Sequence, residues 1–229
     1  MKIITIVGVR GAGKTTVLEC LVRELRRRGC SVGTAKSVFC PAFHMDKPGS
    51  NTDRHAKAGA QLIAARGELE TTLMYPRKLK PSEWLVPFKG LDWVLCEGDY
   101  ELPVNRIVAA HGEEDARERL NSRTLALSGL IANECQTFSG IPVLHPENDI
   151  QALCDLLERE TPETVDIQAL DSALTGDDIA LSRSFCAQGC KGHARKKPGP
   201  GVQVMVNGEK LTLTPEQESM ILSWHAQAR

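Results

Sequence analysis

Eight residues near the start of the chain, Gly8-Val9-Arg10-Gly11-Ala12-Gly13-Lys14-Thr15, carry the spacing G-x-x-x-x-G-K-[ST] between an apolar run and a long amphipathic segment. That order dictates a strand, a tight turn and a helix start. Glycines let the backbone wrap where a Cβ would intrude, and the first N–H groups of a helix have no partner within it. N–H groups converging in this way make a seat for an anion. The pattern therefore implies a nucleoside triphosphate site in which Lys14 reaches the β- and γ-phosphates and the Thr15 hydroxyl ligates Mg²⁺. Gly8, Arg10, Gly11, Ala12, Gly13, Lys14, Thr15 and Thr16 are the nucleotide-contacting candidates, and Lys14 is a catalytic candidate as well.

The flanking sequence supports this reading. Residues 2–7 are a β-rich apolar run, and beyond Gly13 the positions Val17, Leu18, Leu21, Val22 and Leu25 recur at helical spacing. Arg26, Arg27 and Arg28 crowd the last turn, where the helix dipole favours cations over a nucleic-acid role, and Gly29 supplies the stop. Further strands are expected at 31–36, 71–74, 93–96, 106–110, 127–132 and 141–144. Helices are expected at 53–65, 81–86 and 113–120, and after Asn148, whose helix carries Ile150, Leu153, Leu156 and Leu157 on one face. Strands alternating with helices predict an α/β fold with a mostly parallel, doubly covered sheet.

A phosphate loop needs an acidic group beside its metal. Residues 92–98, Asp-Trp-Val-Leu-Cys-Glu-Gly, form a buried strand that ends in Glu97. Ligands of open α/β sheets sit at the carboxyl ends of the strands, so Glu97 is the candidate for Mg²⁺ or its water shell and a second catalytic candidate. Asp92, at the amino end of the same strand, is the alternative, and Gly98 leaves room for phosphate. The polar loop 39–52 is of a length that is usually functional, and Lys36 and Asp46 are its candidates for the γ-phosphate and metal. Residues 132–134 follow a strand and suit either a base contact or a surface turn.

A chain of 229 residues accommodates one sizeable α/β core and an appendage. With a net charge of -1 and 4% aromatic residues, neither a nucleic-acid partner nor a membrane is expected. The opening residues lead straight into a strand, so a cytoplasmic location is expected. Eight cysteines in a reducing compartment read as buried small hydrophobes or as metal ligands. The first alternative suits Cys20, Cys30, Cys96 and Cys154. Cys186, Cys190 and His193 form a C-x₃-C-x₂-H cluster that suits Zn²⁺ or an iron–sulfur cluster, or else belongs to a basic linker. The organisation read from these features is a nucleotide-binding domain at 1–160, a linker holding the Cys/His cluster at 161–201, and an appendage at 202–229. In that appendage Asn207-Gly208 turns a hairpin and Thr214-Pro215 opens a helix.

Residues 8–16, 32–36, Asp46-Lys47-Pro48-Gly49 with Lys57-Ala58-Gly59-Ala60, 94–98, 107–108, 141–144 and 148–150 together resemble the molybdopterin-guanine dinucleotide biosynthesis adapter protein B family. The resemblance covers roughly residues 1–160. It implies a dimeric phosphate-loop protein that binds GTP with Mg²⁺, hydrolyses it weakly, and assists the enzyme attaching GMP to molybdopterin. Ser37 and Asn51 stand where the family commonly carries histidine and an acidic residue, and no Asn-Lys-x-Asp guanine motif occurs. Two other functions share the opening motif. One is a small-molecule kinase, and the other is a metallochaperone coupling nucleotide state to a metal on Cys186, Cys190 and His193.

Overall fold

The computed structural model of the chain describes residues 1–38, 40, 43–98, 102–164, 166–167 and 170, together with the backbone of 204–206 and 209–211. In chain order its elements are β1 (Lys2–Gly8), α1 (Lys14–Arg27), β2 (Val32–Lys36), α2 (Asn51–Lys57), β3 (Ile63–Arg66), β4 (Thr71–Met74), α3 (Pro81–Trp84), β5 (Trp93–Glu97) and β6 (Arg106–Ala110). They continue with α4 (Glu113–Arg117), β7 (Thr124–Gly129), β8 (Thr137–Phe138), β9 (Ile141–Pro142), α5 (Ile150–Glu160), β10 (Val204–Val206) and β11 (Glu209–Leu211). The chain forms two compact units. The first holds Met1–Val38 with His55–Leu174, and the second Phe39–Arg54 with Thr175–Arg229.

In the first unit the order β2-β5-β1-β6-β7 makes a five-stranded sheet, parallel throughout. Parallel neighbours require crossovers, and crossovers lay helices over both faces, so the central strands must be apolar on both sides. β1 meets that demand, with every residue from Ile3 to Val7 buried. Ile4 and Ile6 join Val17, Leu21 and Leu25 of α1 and Leu153 and Leu157 of α5 in one core. Residues of opposite parity face the other side. Val7 packs there with Val108, Leu127 and Ile131, and Ile3 with Val94, Leu85 and Leu102. Alternation along one strand thus fills both faces of the sheet.

Several expected elements are revised. The helix expected over 53–65 is the shorter α2, and the residues after it turn into β3, which pairs antiparallel with β4. Gly59, at φ 101, ends the helical path, and its N–H donates to the Ala56 carbonyl. The strand expected to run through Ala132 stops at Gly129, where φ is 84, and Leu130–Asn133 form a 3₁₀ turn. Residues 141–144 split: β9 pairs antiparallel with β8, while Val143 forms a parallel bridge to Leu127 and its N–H donates to the Gln136 carbonyl at 2.8 Å. Asp149, not Asn148, stands at the cap position of α5, and its carboxylate accepts from the His145 N–H. The helices expected at 81–86 and 113–120 are cut back to α3 and α4.

In the second unit β10 and β11 pair antiparallel, Val206 opposite Glu209. The helix expected after Thr214 and the cluster of Cys186, Cys190 and His193 lie outside the described residues. Among the described residues no helix is long and apolar enough to cross a membrane.

Candidate functional site

The carboxyl ends of β2, β5, β1, β6 and β7 open on one edge of the sheet, where the phosphate loop, Lys36, Glu97 and Gly98 stand. Between β1 and α1 the chain makes the phosphate loop. Gly13 occupies the cap position of α1 in the left-handed region, at φ 93 and ψ 13. Gly8 is demanded by close approach: a Cβ built on it would lie 2.0 Å from the Ala109 carbonyl oxygen of β6. Arg10, Gly11, Thr15 and Thr16 are exposed and Ala12 is buried, so the rim of the loop faces solvent while its base is packed.

Lys14 is half-buried and its ammonium donates to the Val9 carbonyl at 2.6 Å, curling back over the loop. Burial lowers its pKa from the ordinary lysine value, Glu97 opposes that shift, and Lys36 and Arg119 add to it. The loop therefore holds a partly desolvated cation.

Glu97 lies 8% exposed at the end of β5. Register puts it beside Ile6 of β1 on one flank and Lys36 of β2 on the other. Registered neighbours project to the same face and strands stand about 4.8 Å apart, so the Lys36 side chain reaches the Glu97 carboxylate. The Thr15 hydroxyl lies 3.2 Å from each oxygen of the Glu97 carboxylate, and the Lys36 ammonium donates to its Oε1 at 2.9 Å. A hydroxyl and a carboxylate form a hard oxygen pair of the kind Mg²⁺ selects. Two cis ligands at its usual bond length lie about 2.9 Å apart, close to the spacing here. Thr15 and Glu97 thus fit a magnesium ion, directly or through its water.

The alternative acid, Asp92, stands at the opposite end of β5. Its carboxylate accepts from the Ser31 N–H and hydroxyl, both at 2.7 Å, and so ties down the start of β2. Gly98 keeps to the sheet, because its N–H donates to the Ile6 carbonyl at 2.8 Å.

Asp46 belongs to the second unit, where its carboxylate accepts from the Lys47 N–H and the Ser50 hydroxyl, both at 2.8 Å. Bonds from Thr52 and Ser50 hold its pKa below the ordinary carboxylate value. Ser50 in turn accepts from the Asp53 N–H at 3.0 Å, and Asp53 accepts from the Gly49 N–H at 2.7 Å, in the manner of a capping box. Within its own unit Asp46 anchors the start of α2.

Three residues that spacing does not single out also stand at this edge. A Cβ on Gly129 would lie 2.1 Å from the Ala12 carbonyl oxygen, so the end of β7 is glycine because the loop rests on it. His111, at the end of β6, points Nε2 at Gly11, 3.4 Å from the place a Cβ would occupy there. Asp115 holds its Nδ1 at 2.8 Å. The third, Arg119, donates to the Asp115 carbonyl at 2.8 Å. Only the glycine left a sequence signal, in that it follows a strand. Next to His111 a cleft of about 370 Å³ is lined by Gly112, Glu113, Glu114, Asp115 and Glu134, whose carboxylates repel phosphate. Asn133 donates to the Leu130 carbonyl within its 3₁₀ turn. Among the described residues no group of three or more His, Cys, Asp or Glu is arranged to hold a metal ion.

A parallel sheet of this order, with a glycine-lined loop leading into a helix and a carboxylate facing the loop threonine, defines a phosphate-loop nucleotide-binding protein. The sequence model of the family described as "Molybdopterin guanine dinucleotide synthesis protein B" (MobB) matches residues 3–132. The chain belongs to this family. It is 26% identical over 155 residues to the probable molybdopterin-guanine dinucleotide biosynthesis adapter protein of Bacillus subtilis (strain 168), covering 65% of this chain and 87% of that one. The crystal structure of Bacillus subtilis MobB shares the fold at a TM-score of 0.54 and 23% identity, covering 72% of this chain and all of the other. A MobB homologue from Bacillus stearothermophilus does so at 0.51 and 25% identity, covering 70% of this chain and all of the other.

Proposed function

We propose that the chain binds GTP with Mg²⁺ where β1 gives way to α1. In this reading it serves as an adapter in molybdenum cofactor biosynthesis, as a homodimer, assisting the enzyme that attaches GMP to molybdopterin. Family membership supports the pathway, and the name of the Bacillus subtilis relative supports the adapter role. The observation that carries the nucleotide reading is the convergence of the Thr15 hydroxyl and the Glu97 carboxylate, 3.2 Å apart, beside the loop.

In this reading the N–H groups of residues 11–16 bind phosphate oxygens, and Lys14 leaves the Val9 carbonyl for the β- and γ-phosphates. Thr15 and Glu97 would hold Mg²⁺, which would supply charge neutralisation to the phosphates. Hydrolysis is slow in this reading, because the cations it assigns to the phosphates are the lysines Lys14 and Lys36 and no arginine is among them. The nucleotide-binding domain comprises residues 1–160.

Calorimetric titration with GTP and ATP in Mg²⁺, repeated on Lys14→Ala, tests the assignment. GTP binds more tightly than ATP to the wild type, and Lys14→Ala loses both. A clear preference for ATP counts against the adapter role, and absence of binding overturns the site.

A further inference from the structure

The strand order sets three chemistries side by side: the phosphate loop on β1, the metal-facing carboxylate on β5 and Lys36 on β2. A carboxylate that would hold Mg²⁺ at a phosphate loop stands on the side of the outer phosphoryl groups, away from the α-phosphate. β2 lies one strand beyond that carboxylate, on the side away from β6. A cation at its end is near the outermost phosphoryl group and remote from the α-phosphate.

Lys36 is that cation. Its side chain is 61% exposed, yet it is held at 2.9 Å to Glu97, whose side chain is 10% exposed. A shielded carboxylate needs a counter-charge, and without metal the ammonium of Lys36 supplies it. Once a divalent ion neutralises Glu97, two cations compete for one carboxylate. The nearest uncompensated anion is then the γ-phosphate.

We propose that Lys36 is the specificity-determining residue that distinguishes a nucleoside triphosphate from a diphosphate. It exchanges the Glu97 carboxylate for the γ-phosphate when the metal-bound triphosphate arrives. With a diphosphate no acceptor stands at that position, and Lys36 stays on Glu97. This inference rests on the nucleotide reading above and deepens it.

The test is calorimetric titration of the full chain in saturating Mg²⁺ with GDP and with the β,γ-imido analogue of GTP. The variants are Lys36→Ala, Lys36→Gln and Lys36→Arg, with Lys14→Ala as the control. The wild type binds the triphosphate analogue about tenfold or more tightly than GDP, the size of one charge-assisted contact. Lys36→Ala and Lys36→Gln reduce that ratio to about two, chiefly by weakening the triphosphate, and Lys36→Arg recovers most of it. Lys14→Ala weakens both nucleotides. A wild-type ratio near one, or equal losses of both nucleotides in Lys36→Ala, overturns the inference and leaves the nucleotide site standing. If the wild type binds neither nucleotide, the proposed function itself falls.

Discussion

The two ends of α1 carry charge in opposite ways. At its carboxyl end Glu24 accepts from Arg27 at 2.7 Å and from Arg28 at 2.9 Å, and Arg28 reaches Asp155 at 2.7 Å and Glu158 at 3.1 Å on α5. Arg26 donates to the Cys30 carbonyl at 2.9 Å, but Glu24, Arg27 and Arg28 each have an opposite charge beside them, and the network clamps α1 to α5. At the amino end Glu97 is shared by Thr15 and Lys36, while Lys14 rests on a neutral carbonyl. A cation resting on a neutral carbonyl can change partner at little cost, whereas one locked among carboxylates cannot. The same helix is thus fastened at one end and left ready for an anion at the other.

Substitutions that act at one end only break the contrast most directly. Lys14→Ala lowers GTP affinity by about a hundredfold or more, since a charge-assisted contact to phosphate is lost, and leaves the melting temperature nearly unchanged. Titration beside thermal melts checks both halves. Gly129→Ala acts on the seat of the loop: a methyl group 2.1 Å from the Ala12 carbonyl, at φ 84, forces the loop to move. It costs about 2–3 kcal/mol in denaturant unfolding and about tenfold in affinity.

At the carboxyl end the effects invert. Arg28→Ala lowers stability by about 1–2 kcal/mol, because its side chain, 18% exposed, joins three carboxylates, and nucleotide affinity is retained. Denaturant melts with a parallel titration decide it, and a tenfold loss of affinity would mean that the two ends are coupled. The smallest effect at neutral pH is that of Glu24→Gln, whose signature is its pH dependence. Hydrogen bonds from Arg27, then Arg28, hold Glu24 down to about 2. A depressed carboxylate stabilises the fold above its unfolded value of about 4.3 and loses that contribution as pH falls toward 2. The gap in melting temperature between wild type and Glu24→Gln therefore closes over that window, and a gap constant down to pH 2 would remove the assignment.

Much of this site was legible because its parts are local. The phosphate loop is a run of eight residues whose glycines, lysine and threonine act through their own backbone and the next turn. Glu97 was legible from a rule about strand ends. Arg26 to Arg28 read as complements to the helix dipole, which describes the chain segment correctly but misses Glu24 and α5. The span 53–65 read as one helix because its apolar residues fit a helical period. The turn at Gly59 and the partner strand β4, which convert Ile63–Arg66 into a hairpin, lie outside that window.

The sequence alone determined that a glycine turn of the phosphate-loop pattern joins the first strand to the first helix, since short-range sterics suffice for that. Position at a strand end named Glu97 and Lys36 as candidates, but that they come together beside the turn, with Gly129 beneath it, was decided only by tertiary structure. Lys36, Glu97 and Gly129 come from three strands far apart in the chain, and they meet because the parallel register aligns the ends of β2 and β5 with β1 and packs β7 beneath the loop. Pairing between distant strands depends on how the whole core packs, and no local spacing records it.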